Sequence, residues 1–107
     1  MKLYRNDSDY PALYELILKM VRDTLREDWD PLGVANEFPT AYDEYDNYAP
    51  GLATMLMHGV SSEVWMGERA RILAYMELTE PEEETASARI FDLLRQRAIK
   101  IANEFYD

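Results

Sequence analysis

The sequence predicts an all-α protein: a small single-domain bundle of four main helices with a long ordered acidic loop between helices 1 and 2. Three observations lead there. Apolar residues recur at three- and four-residue spacing through most of the chain, strand-type alternation is weak throughout, and one stretch, Asp28–Gly51, interrupts the helical pattern with three prolines. With 107 residues, 48% of them hydrophobic, there is room for one modest core, and the apolar content keeps the chain out of the disordered class.

The elements follow in order. Asp9 is a good N-cap with Pro11 in the first turn, and Leu13, Ile17, Met20, Val21, Thr24 and Leu25 form a helical stripe. Glu15 and Lys19 are spaced four apart in the favourable order, worth about 0.3 kcal/mol. Pro31 disfavours helical geometry at Asp30, so this helix should stop near Asp28 or Trp29. Asp30-Pro31-Leu32-Gly33 reads as a turn, and Trp29, Leu32, Val34, Phe38, Tyr42 and Tyr45 are its packing anchors. A short helical turn through Ala41–Tyr45, capped by Thr40, would shorten the irregular part. A second helix fits Asn47–His58, with Pro50 in its first turn, a stripe of Tyr48, Leu52, Met55 and Leu56, and Gly59 as its stop.

Ser61 should cap a third helix reaching about Leu78, burying Val64, Trp65, Ile72, Tyr75 and Met76. Met66, Ala70 and Leu73 make a second apolar strip, which implies either burial on two sides or an interface. Thr79-Glu80-Pro81-Glu82 reads as a capping box, opening a last helix to about Phe105 that buries Ile90, Leu93, Leu94, Ala98, Ile101 and Phe105. The six methionines fall mostly at core spacing, as gap-fillers.

Charge is distributed unevenly. Between Glu27 and Glu68 there are nine acids and no Lys or Arg, so this segment holds almost all of the net charge of −10. Nucleic acid is therefore not the expected ligand, since its backbone is bound through Lys and Arg. Arg89, Arg97 and Lys100 on the last helix are expected to pair with Glu104 or with the acidic segment. Cysteine is absent, which excludes disulfides, thiolate nucleophiles and Cys-ligated zinc. No apolar run resembles a signal peptide or approaches a membrane span, so the default expectation is a cytoplasmic protein without membrane contact.

Most chemistry-bearing residues have a structural reading that suffices. Glu80, Glu82, Glu83 and Glu84 sit where a helix N-terminus favours acids. His58, the sole histidine, can bond the last carbonyls of its helix beside Gly59, and Ser61 and Ser62 are caps. No catalytic residue and no cofactor are expected. The acidic loop is the constellation that invites a function. Asp30, Glu37, Tyr42, Asp43, Glu44, Tyr45 and Asp46 combine charge with aromatic anchors, as protein interfaces do. Asp30, Asp43, Glu44 and Asp46 could instead ligate a divalent cation, although their spacing matches no calcium-binding loop.

Trp29-Asp30-Pro31-Leu32-Gly33-Val34, then Asp43-Glu44-Tyr45-Asp46-x-Tyr48, then Gly59-Val60-Ser61 resembles a family of small acidic bacterial helical proteins catalogued as a domain of unknown function. The likeness spans roughly residues 25–80. Similar proteins carry an M-G-L segment after the third helix, where this chain has Met76-Glu77-Leu78. The resemblance implies the helical fold and a bacterial or phage origin, and brings no activity with it. The leading expectation is a non-enzymatic interaction protein, immunity-protein-like or inhibitor-like, that offers its acidic surface to a basic protein partner. A metal-dependent enzyme or metal-binding module is second, and a structural homo-oligomer third.

Overall fold

The computed structural model describes residues 1–29, 46–78 and 80–107, and within them the chain is all-α. A 3-10 turn at Asp7–Asp9 leads into α1 (Tyr10–Glu27); α2 (Ala49–His58), α3 (Ser62–Tyr75) and α4 (Pro81–Phe105) follow. Helix α1 lies at the centre, packed on α2 and α4, and α3 packs on α4. The expected loop and its helical turn at residues 41–45 fall outside the described residues.

The stripe of α1 is buried much as its spacing requires. Leu13, Ile17, Val21, Thr24 and Leu25 are covered, Leu18 joins them, and Met20 is half-buried at the edge. Pro11 occupies the first turn, where its missing N–H has no partner to lose. The Asp9 carboxylate makes no cap. It accepts the Tyr106 hydroxyl at 2.9 Å, and that hydroxyl accepts the Arg5 N–H at 2.6 Å, so the two ends of the chain close on each other. Lys19 pairs with Asp23 at 2.7 Å rather than with Glu15, having an acid one turn away on either side.

Helix α2 ends on Gly59, whose φ of 65° is left-handed and whose N–H reaches the Met55 and Leu56 carbonyls. Glycine is required there twice over, because a Cβ would also collide with the Met1 carbonyl oxygen. The N-terminal segment is tied down beside it by Leu3 N–H donating to the Met57 carbonyl at 2.9 Å.

Helix α3 departs most from its sequence pattern. Ser61 caps it as expected, accepting the Val64 N–H at 3.2 Å. Only Trp65, Ile72 and Leu73 are buried, however, while Val64 and Tyr75 are 48% and 73% exposed and Met76 is half-buried. A helix packed mainly against one neighbour covers one narrow stripe, and seven- and eight-residue spacing from Trp65 selects Ile72 and Leu73. The strip Met66, Ala70, Leu73 is thus divided, with Leu73 in the core and the other two at the surface. The helix stops at Glu77, in the left-handed region at φ 61°, with Leu78 N–H returning to the Leu73 carbonyl at 2.9 Å.

The box opening α4 lies one residue later than the sequence suggests. Glu80 is the N-cap, and its N–H donates to the Glu83 carboxylate at 3.0 Å, because Pro81 sits at the helix start and sets the register. Ile90, Leu94 and Ala98 are buried, with Leu93, Ile101 and Phe105 half-buried along the margin. The largest surprise is Phe91. Its ring is 5.0 Å from that of Trp65 and 6.0 Å edge-on from that of Trp29, so three aromatic rings on different elements form one cluster in the core.

Candidate functional site

Trp29 and Asp46 flank residues 30–45 of the acidic segment in sequence, and the structure describes both of these flanking residues. Trp29 is 3% exposed against Phe91. Its position follows from the end of α1: Asp28 and Trp29 N–H both return to the Thr24 carbonyl, which swings the indole back over the core. Arg97 of α4 locks this corner. Its Nη1 donates to the buried Thr24 hydroxyl and to Asp28 Oδ2, each at 2.7 Å. This is the ion pair expected between Arg97 and the acidic segment.

The return point is made by Asp46, which accepts from Arg26 Nη2 at 2.5 Å. Both side chains are largely withdrawn from water, at 26% exposure for Asp46 and 32% for Arg26. The pair joins the last turn of α1 to the residue from which the chain enters α2, and so closes the whole intervening segment. Tyr48 continues the attachment, its ring 6.2 Å from that of Tyr75 on α3.

Of the residues singled out for partner binding, Asp30, Glu37, Tyr42, Asp43, Glu44 and Tyr45 lie outside the described residues, and Asp46 lies within them. Asp46 holds Arg26, which makes it a structural clamp rather than a freely presented charge. Of the alternative cation set, Asp30, Asp43 and Glu44 are likewise outside. Among the described residues no three His, Cys, Asp or Glu side chains are grouped to hold a metal.

His58 has a different setting from the one its sequence position suggests. Gly59 already serves the last carbonyls of α2, so the imidazole turns to the N-terminal aromatics instead. Its Nδ1 is 3.5 Å from the Tyr4 hydroxyl, and its ring lies 5.7 Å from Tyr4 and 5.8 Å from Tyr10. Tyr10 in turn stacks on Tyr14 at 5.7 Å. Ser62 accepts from Arg95 Nη1 at 3.2 Å. Among the described residues no nucleophile–base pair is assembled here: the imidazole meets a tyrosine hydroxyl, and Ser62 is held by a guanidinium.

Two bases at the surface are raised above their ordinary values. The Lys19 ammonium is raised by its hydrogen bond to Asp23 and then by that residue's charge, and the Arg71 guanidinium by Glu68 in the same two ways. Both are partners of acids within one helix, so they hold local charge balance rather than a reactive centre.

Sequence reasoning did not assign Arg26 or Thr24 to this corner. A signal existed for Arg26: it is the last basic residue before a long run without any, and hence the cation nearest to an acid returning from that run. Thr24 was placed on the buried stripe, but nothing in a single sequence pairs its hydroxyl with a guanidinium 73 residues away. No helix among the described residues is long and apolar enough to cross a membrane. Comparison with protein-family models, with curated proteins and with solved structures found no match for this chain.

Proposed function

We propose that this protein is a non-enzymatic interaction protein, immunity-like or inhibitor-like, that captures a basic protein partner through its acidic segment. The observation that carries the reading is the mounting of that segment. Four acids and no basic residue lie between Trp29 and Asp46, and both ends are fastened to the helical body by buried or half-buried contacts. A charged segment held at both ends loses less conformational freedom on binding than a free tail would. Its single sign of charge favours encounter with a cationic surface, while Tyr42 and Tyr45 supply the residue type enriched at interface centres.

The resemblance to small acidic bacterial proteins of unknown function fits this reading. A cytoplasmic setting, with no role for membrane or nucleic acid, belongs to the same proposal.

The test is a titration against immobilised lysine- and arginine-rich peptides, with acidic peptides of equal length as controls. Selective capture that weakens with salt, and an association rate that falls in Asp43→Asn/Glu44→Gln, is the expected result. Equal binding by that variant would refute the role of the segment. A rise in melting temperature specific to calcium or magnesium at matched ionic strength, lost in Asp43→Asn, would favour the metal-binding alternative. Saturation at 100 times the dissociation constant would add about 2.7 kcal/mol in that case. The clamp already formed between Asp46 and Arg26 counts against that alternative, since it engages one of the four ligands the site would need.

A further inference from the structure

Outside the acidic segment, a cleft of about 200 Å³ opens between the Gly59–Val60 turn, the start of α3 and the second half of α4. Its walls are mostly apolar, formed chiefly by Leu56, Val60, Trp65, Ala98 and Ile99, and they are completed by the Arg95 side chain and the N-terminal residue Met1. Arg95 is half-buried, and its guanidinium is oriented by Nη1 donating to Ser62 Oγ at 3.2 Å. That is one of the five donors a guanidinium carries. Among the described residues four ion pairs form, through Lys19, Arg26, Arg71 and Arg97, and Arg95 belongs to none of them. Asp92, one turn earlier on the same helix, is exposed and does not pair with it. In a chain with almost twice as many acids as bases, Arg95 is thus a half-buried guanidinium left outside the ion pairs of the described residues, and it is the one that lines the cleft.

We propose that this cleft binds a small amphipathic monocarboxylate, with the apolar body against Trp65, Val60 and Ile99 and the carboxylate on Arg95. The size follows from comparison. A dry apolar cavity of about 150 Å³ accommodates benzene, so this cleft suits a body of roughly six to eight carbons. The charge follows from the Arg95 guanidinium, which matches one carboxylate bidentately; the other cation at the wall, the Met1 ammonium, is engaged by the Gly59 carbonyl at 3.3 Å. Small-molecule sites commonly join an apolar lining to one well-placed charge in this way.

Calorimetric titration of the full chain with octanoate, 1-octanol and acetate tests the assignment. Saturable one-to-one binding of octanoate is expected, at least about tenfold tighter than octanol, with acetate silent. Arg95→Met should bring octanoate down to the level of octanol and leave octanol unchanged. Ile99→Asp, at a position 54% exposed and therefore tolerant of a charge, should weaken octanoate without unfolding the protein. Circular dichroism of both variants confirms the fold. Octanoate and octanol binding alike, no loss in Arg95→Met, or no saturable octanoate binding up to about 5 mM would each overturn the proposal.

Discussion

Neutralising Asp46 separates two opposite expectations. Viewed only as one of nine acids in a segment without bases, Asp46 should be repelled by its neighbours, and Asp46→Asn should be neutral or mildly stabilising. The structure reverses the sign. Asp46 accepts from Arg26 at 2.5 Å, and about three quarters of its side chain is withdrawn from water. Hydrogen bonds to charged groups contribute about 1.5–3 kcal/mol, while fully exposed pairs contribute about 0–1. A pair between those limits of exposure should be worth about 1–2 kcal/mol. Asp46→Asn should therefore lower stability by that amount, which for a domain of this size is a fall in melting temperature of about 4–8 °C. Urea unfolding of Asp46→Asn, Arg26→Met and the double variant closes a thermodynamic cycle. The coupling should be at least about 1 kcal/mol, and Arg26→Met should cost more than its share because Arg26 has a further interaction. A coupling below about 0.3 kcal/mol, or a stabilised Asp46→Asn, would refute the clamp. The same experiment on Asp43→Asn, where no basic residue is close in sequence, should show a neutral or slightly positive change.

Three further outcomes follow from the core and the helix ends. Trp29→Ala removes the 3%-exposed ring that meets Phe91 and should cost about 3–5 kcal/mol in urea unfolding; a loss below about 0.5 kcal/mol would show that Trp29 does not anchor the segment. Glu77→Gly should stabilise by about 0.5–1 kcal/mol, since φ is 61° there, whereas Gly59→Ala should destabilise by more than about 1 kcal/mol through both its φ of 65° and the Met1 contact. A destabilised Glu77→Gly would mean that the Glu77 side chain contributes more than its backbone costs.

What a single sequence determined here is whatever depends on spacing and on residues near one another in the chain. Four helices, the prolines at their starts, the Ser61 cap and the Gly59 stop all rest on local geometry: a missing N–H, a side chain that reaches two or three residues, a residue without a Cβ. Periodicity likewise assigned the buried face of α1, because that helix has two helical neighbours packed on it. The same reasoning misplaced Val64 and Tyr75, which satisfy a helical stripe but face solvent, and it overlooked Phe91, which lies on the flank of the α4 stripe. Which of several apolar faces is covered depends on how many partners a helix has and from which side they come. Spacing carries no information about either. The acidic segment was legible as a charge pattern; its fastening was not, because Arg26 meets Asp46 across 20 positions and Arg97 meets Asp28 across 69. The cleft beside Arg95 is further removed still from any local signal. Its walls come from the N-terminal segment, three helices and a turn, and only packing sets Arg95 beside that apolar surface and outside the ion pairs found among the described residues.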